Sequence, residues 1–281
     1  MKLKTPDTGG ERQHNQLHKY TVIRIMSTFS DEKHFMHPRH SVILELVNST
    51  GRISVADLSM QLGVSEVTVR QDLTQLENQG FLKRVHGAAT VLDSEDPEHR
   101  LWANSKVKQD IASYAYSLIN RDDCVLIEGG SVNVMLAKLL ADRSDITIIT
   151  SSSYIAHQLR TSKAEIILLG GQYQPSSESL VGPLTRLCIE HVHFSKAFIG
   201  VDGFDIQTGF TNRNMMRADI ANAILNKHQD VFVLTDSSKF GRIHTAPIGP
   251  TSLIKHVVTD KNAPDESLQW LTRQGVQVHI I

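Results

Sequence analysis

The run Ser54-Val55-Ala56-Asp57-Leu58-Ser59-Met60-Gln61-Leu62-Gly63-Val64-Ser65-Glu66-Val67-Thr68-Val69-Arg70-Gln71-Asp72-Leu73 decides how the first third of the chain folds. Ser54 can cap a helix whose Val55, Leu58 and Leu62 share one face, and Gly63 can end it. Val64-Ser65 restarts the chain, and Ser65 is a second cap. Val69, Leu73 and Leu76 then fall at i, i+4 and i+7, the inward stripe of another helix. Two short helices joined by a glycine-containing turn form a helix-turn-helix. This spacing leaves Glu66, Thr68, Arg70, Gln71 and Thr74 on or near solvent.

Upstream, Val42, Ile43, Leu46 and Val47 predict a first helix over 41–48, followed by a turn at Thr50-Gly51-Arg52. Downstream, 80–90 alternates apolar and other residues around adjacent basic side chains and a glycine, the pattern of a two-stranded wing. The major groove admits one α-helix, and residues near the N-terminus of that helix reach base edges. Ser65, Glu66, Thr68, Arg70, Gln71 and Thr74 are therefore candidate DNA contacts from the helix. Lys83, Arg84 and His86 on the wing are candidates for phosphate contacts, which position without reading sequence. Double-stranded DNA is the expected partner. The electrostatic footprint is modest, since 37–92 holds five basic and five acidic residues and the chain's net charge is -1.

Residues 1–35 carry one short apolar stretch, Val22 to Met26, and read as a flexible extension; Met36, Met26 and Met1 all stand as functional starts. The acidic run Asp93 to Arg100 contains the one proline between Pro38 and Pro175 and marks a linker over 93–106. The organisation expected is thus a winged helix-turn-helix over 36–92, that linker, and a second domain over 107–281. In the second domain, apolar runs at 124–128, 146–150, 165–169, 196–201, 231–235 and 256–259 alternate with helical patterns. That alternation predicts an α/β fold with a mainly parallel sheet covered on both faces.

Composition closes off several classes. No apolar run approaches the ~20 residues of a membrane-spanning helix, and the start lacks a secretory signal, so no membrane partner and a cytoplasmic location are expected. Cys124 and Cys188 form no Cys-x-x-Cys pair and read as buried, reduced thiols. Histidines number 14, but the pairs His37/His40 and His191/His193 lack a second ligand cluster at metal spacing. Neither a metal nor a cofactor is expected.

Three strand-to-helix junctions fit an anion. Gly129-Gly130-Ser131 lets the chain approach a ligand closely where a helix begins, and free helix N–H groups favour a phosphate there. Ser151-Ser152-Ser153 follows the next strand, and Asp236-Ser237-Ser238-Lys239-Phe240-Gly241 offers a carboxylate, hydroxyls and a cation. Ligands of open α/β sheets bind at the carboxyl ends of the strands.

The pattern Arg39-x3-Ile43-x3-Val47, then Ser65-x-x-Thr68-Val69-Arg70-Gln71-Asp72-Leu73, then Leu76-Glu77-x-x-Gly80-x-Leu82-x-Arg84-x-His86-Gly87, resembles the signature of the DeoR family of sugar-operon regulators. Glu128-Gly129-Gly130-Ser131, Ile199-Gly200-Val201-Asp202-Gly203 and Thr235-Asp236-Ser237-Ser238-Lys239-Phe240 resemble that family's sensor loops, with Glu128 where Asp is usual and Val132 where Thr is common. The resemblance implies a sensor fold of the ribose-5-phosphate isomerase group and a small anionic effector, a sugar phosphate or relative. It implies effector contacts at Glu128, Gly130, Ser131, Ser152, Asp202, Asp236, Ser238 and Lys239, a homo-oligomer, and a repressor as the usual mode. Asp202-Gly203-Phe204-Asp205 also resembles an isomerase loop, but 206–220 holds no Lys or Glu to complete a proton-transfer set, so no enzyme is expected.

Overall fold

The computed structural model describes residues 37–91, 95–102, 104–227 and 229–281. The expected extension over 1–35, the choice of start, the end positions 36 and 92 of the first domain, and 93, 94 and 103 of the linker lie outside these residues.

Helix α1 (Pro38–Thr50) begins before the expected 41–48, since proline is well placed in a first helical turn, where N–H groups lack intrahelical partners anyway. After β1 (Arg52–Ser54) come α2 (Val55–Leu62), α3 (Glu66–Asn78), β2 (Leu82–Val85) and β3 (Ala88–Val91). Ser54 Oγ accepts from Asp57 N at 3.0 Å, and Ser65 Oγ accepts from Thr68 N at 3.2 Å, so both expected caps form. Gly63 ends α2 at φ 64°, a left-handed conformation in which its N–H reaches Ser59 O. Leu58, Val69, Leu73 and Leu76 are buried with Ile43 and Val47 of α1. The wing differs from the two-stranded expectation. Ile53 of β1 pairs with Ala89 of β3, making a three-stranded antiparallel sheet from a segment too short to display an alternation.

From α4 (Pro97–Trp102) and α5 (Ser105–Ser117) the chain enters the α/β part. There follow β4 (Cys124–Ile127), α6 (Ser131–Leu140), β5 (Thr147–Thr150), α7 (Ser153–Gln158), β6 (Glu165–Leu168), β7 (Gln172–Gln174), β8 (Ser179–Val181), α8 (Pro183–His191) and β9 (Lys196–Gly200). Next are β10 (Gly203–Asp205), β11 (Gly209–Asn212), α9 (Met215–Leu225), β12 (Asp230–Leu234), β13 (Ala246–Pro247), β14 (His256–Thr259), α10 (Asp265–Arg273) and β15 (Gln277–Ile280). Seven strands form one parallel sheet in the order β15-β14-β12-β9-β4-β5-β6.

Alternate residues of the central strands feed two cores. Leu126, Ile199 and Val233 face one, with Ile189 of α8 and Ile224 of α9. Val125, Ile127, Phe198 and Phe232 face the other, with Ile111 of α5 and Leu136 of α6. Coverage on both faces fails at one margin. The expected buried strand 165–169 is the sheet edge, with Ile167 38% and Leu168 44% exposed. β15 was not expected, because Gln277 and His279 interrupt its apolar character.

Candidate functional site

Strand order reverses between β4 and β9, since the chain runs outward through β5 and β6 on one side and through β12, β14 and β15 on the other. Such a switch opens a crevice at the carboxyl ends of the two strands. Gly129-Gly130-Ser131 leaves β4 there and Gly200-Val201 leaves β9. Gly130 takes φ 140° and ψ 152°, and a side chain on it would approach Gly200 Cα. A pocket forms at this point from Gly130, Ser131, Val132 and Asn133 at the start of α6, Gly200 and Val201, Leu234 at the end of β12 with Thr235, Asp236 and Lys239 after it, Arg217 of α9, and Arg100 of α4. Two atoms of these lining residues, Asn133 Oδ1 and Arg217 Nε, are buried without a hydrogen-bond partner among the described residues.

Charge is concentrated here. Arg100 Nη2 donates to Asp202 Oδ1 at 2.7 Å, while the backbone N–H of Arg213 donates to Asp202 Oδ2 at 3.1 Å. Burial would raise the Asp202 carboxyl, but Arg100 and Arg217 outweigh it and hold it at about 2. Lys108 of α5 is buried and donates from Nζ to Arg100 O at 2.6 Å. Its burial, only partly offset by Asp236, brings it down to about 7. Burial and then the charge of Arg100 bring Lys239 down to about 8. Burial works against ionised Asp236 as well, yet Lys108 and Lys239 keep it below the usual carboxylate range. The site therefore holds two lysines whose charged forms are destabilised, a state that an entering anion would relieve.

Of the eight sensor residues expected from sequence, Gly130, Ser131, Asp236 and Lys239 line the pocket. Asp202 stands behind it, bound to the lining residue Arg100. Glu128 is turned inward: it accepts from Arg217 Nη2 and from Gly200 N, both at 3.1 Å, and burial pushes its carboxyl up against the pull of Arg217. Ser152 and Ser238 are not among the residues that line the pocket. Ser152 Oγ caps α7 by accepting from Ile155 N and reaches Glu178 O, and Ser238 N donates to Asp236 Oδ1 at 3.0 Å. The Ser152 hydroxyl is thus taken by the local backbone, as a serine at a helix start commonly is.

Arg100, Lys108 and Arg217 were missed by sequence reading. Arg100 fell in the segment read as a linker, and Asn104 beside it reaches Asp236 Oδ1 at 3.3 Å. Lys108 did carry a signal: with Ile111, Ala112 and Ala115 it completes the i, i+3, i+4, i+7 stripe of α5, a lysine on an apolar face.

On α3, Glu66, Arg70, Gln71 and Thr74 are exposed as expected. Arg70 Nη2 donates to Glu66 Oε2 at 2.7 Å. Thr68 is half-buried, with its hydroxyl 3.0 Å from that of Ser65, so both hydroxyls belong to the cap. Arg84 Nη1 donates to Thr74 Oγ1, and Lys83, Arg84 and His86 are exposed on the wing. Among the described residues no helix is long and apolar enough to cross a membrane, and no group of three or more His, Cys, Asp or Glu is placed to hold a metal ion.

Two family models match the chain: the DeoR-like helix-turn-helix domain over residues 39–95 and the DeoR C terminal sensor domain over residues 103–261. The HTH-type transcriptional regulator GolR of Listeria innocua is 32% identical over 251 residues, covering 88% of this chain and 99% of that protein. The L-fucose operon activator of Haemophilus influenzae is 27% identical over 246 residues, covering 86% of this chain and 98% of that protein. Among solved structures, ribose 5-phosphate isomerase A of Methanocaldococcus jannaschii is 16% identical at a TM-score of 0.37, covering 49% of this chain and 55% of that one.

Proposed function

The chain belongs to the DeoR family of transcriptional regulators, and on that premise we propose that it represses a carbohydrate or related metabolic operon and releases double-stranded operator DNA when a phosphorylated-sugar-like effector binds. The observation that carries the effector reading is the meeting of Arg100, Lys239 and the start of α6 in one pocket backed by buried Lys108. Free N–H groups of the first turn of α6 and the cations would hold a phosphate, and Asp236 would accept hydrogen bonds from sugar hydroxyls. Ser65, Glu66, Thr68, Arg70, Gln71 and Thr74, with Lys83, Arg84 and His86, form the DNA-facing set; the cap geometry of Ser65 and Thr68 favours a supporting part for those two. Residues 36–92 constitute the DNA-binding domain and 107–281 the sensor. The chain acts in the cytoplasm as a homo-oligomer, a reading supported by exposed Leu184 and Leu187 on α8.

A regulator rather than an isomerase is supported by the names of the relatives and by Asp202, whose two oxygens already serve Arg100 and Arg213. A carboxylate held at about 2 is a weak base for moving a carbon-bound proton. The relative named as an activator makes activation the alternative output. Transcription in vitro from the selected operator separates the two.

The test of the site is Lys239→Ala. A panel of sugar phosphates screened by thermal shift identifies a binder, and its effect on operator affinity is then titrated. The variant should need about ten-fold more effector, the loss of one charge-assisted hydrogen bond, while effector-free DNA binding stays within about two-fold. A folded variant that no longer binds DNA, or one with an unchanged effector response, would remove the pocket from the proposal.

Affinity should also depend on pH with a defined sign. A phosphate ester with its second pKa near 6 is mostly dianionic from pH 7 upward. Lys108 and Lys239, at about 7 and about 8, lose their protons in that range and must regain them to bind the dianion. Effector affinity should therefore fall from pH 7 to pH 9, approaching about ten-fold per pH unit for each lysine reprotonated. Calorimetry in two buffers of different ionisation enthalpy should show proton uptake at pH 8. Proton release there would contradict this account.

A further inference from the structure

We propose that Val67 is a specificity-determining residue that reads a thymine, packing against the C5 methyl group of one base beneath each recognition helix. The proposal rests on the DNA-binding reading of the helix-turn-helix and deepens it.

The placement of Val67 follows from the spacing of α3. Val69, Asp72, Leu73 and Leu76 are buried and define the inner face of the helix. At 3.6 residues per turn, the stripe opposite them is Val67, Gln71, Thr74 and Asn78. Gln71, Thr74 and Asn78 are exposed and polar, as a solvated face requires. Val67 is the apolar member of that stripe and is 63% exposed. It occupies the first turn, the part of such a helix that reaches base edges.

The polar side chains next to it in sequence are engaged. The hydroxyls of Ser65 and Thr68 serve the cap, and Arg70 is drawn to Glu66. Val67 gives the free domain little, because it buries no core surface and valine is a poorer helix former than the polar residues usual on an exposed face. Single exposed apolar residues are common on protein surfaces. What sets this one apart is its position at the centre of the groove-facing stripe. The major groove offers one apolar group on its base edges, the thymine methyl, and β-branched or small apolar side chains complement it.

The experiment uses the full-length protein. Operator sequences are selected from a random duplex pool by the wild type, and each thymine of the best duplex is replaced in turn by uracil, which keeps pairing and removes the methyl alone. One thymine per recognition helix should weaken wild-type binding by about four-fold on replacement, the value of one buried methyl. Val67→Ala should bind the thymine duplex about four-fold more weakly and no longer distinguish thymine from uracil at that position. Val67→Thr, which keeps a γ-methyl, should retain the distinction. A merely structural role would lower affinity for both duplexes, and for unrelated DNA, alike. If every uracil duplex binds as tightly as its thymine parent, or if Val67→Ala loses equally on both, Val67 reads no thymine. Failure of the wild type to enrich any sequence would instead bring down the operator reading itself.

Discussion

Arg217→Ala is expected to cost about 3 to 5 kcal/mol of folding stability, the usual effect of removing one partner from a buried ion pair. Arg217 is buried in α9, with Nη2 3.1 Å from Glu128 Oε1 and Nη1 4.0 Å from Asp202 Oδ2. Its loss would leave Glu128 without its ion-pair partner and Asp202 with one cation fewer. Burial already pushes Glu128 upward, so in the variant its carboxyl should take up a proton as the protein folds. The double variant Glu128→Gln with Arg217→Met removes both charges and should recover more than half of the loss, because an apolar isostere often matches a buried pair. Urea unfolding of the three proteins measures this. A loss below about 1 kcal/mol for Arg217→Ala, the level of an exposed pair, would mean that the pair is solvated in practice.

Asp72→Ala should destabilise the helix-turn-helix by about 3 kcal/mol. Asp72 is buried in α3 and accepts from Arg39 Nε at 2.6 Å, from Arg39 Nη2 at 3.0 Å, and shares a hydrogen bond of 3.1 Å with His40 Nε2. The side chain of Arg39 is 28% exposed, so solvent screens part of that bond and the effect sits at the low end for a buried pair. Burial opposes ionised Asp72, but Arg39 and His40 hold its pKa below the ordinary value. Its stabilisation is thus present above the unfolded carboxylate pKa and lost as pH falls through the lowered folded value. Thermal melts of residues 37–91 within the full protein, followed by a probe on the wing, should show the variant already weakened at neutral pH. A variant that melts with the wild type would refute this anchoring role.

The two variants also mark what sequence could tell. Arg39 and Asp72 stood in the recognised pattern as separate letters, and a bond across 33 positions, 39 to 72, is invisible to local periodicity. The core strands were legible because Val, Ile, Leu and Phe recur without interruption in β4, β5, β9 and β12. β1 and β15 were not, being three residues long in one case and interrupted by polar residues in the other. At the site, glycine and the Asp236 to Lys239 motif announced themselves through chemistry bound to a turn. Arg100 did not, because its part depends on where α4 folds back, and a basic residue in a segment that reads as linker has no local mark of function; Lys108 was marked only by its place on the apolar stripe of α5.

The pocket's dependence on Arg100 has a practical consequence for anyone grafting parts. A chimera that takes its sensor from residue 107 onward keeps the sheet, the Gly130 turn and Lys239, yet discards the guanidinium that reaches Asp202 and the Asn104 amide that reaches Asp236. Joined instead before residue 95, the graft carries α4 with it, and the charges that line the pocket travel as one cassette. Transplanted inducibility should follow the second seam and be lost at the first, although both fall at the edges of the stretch that composition alone marks as a linker.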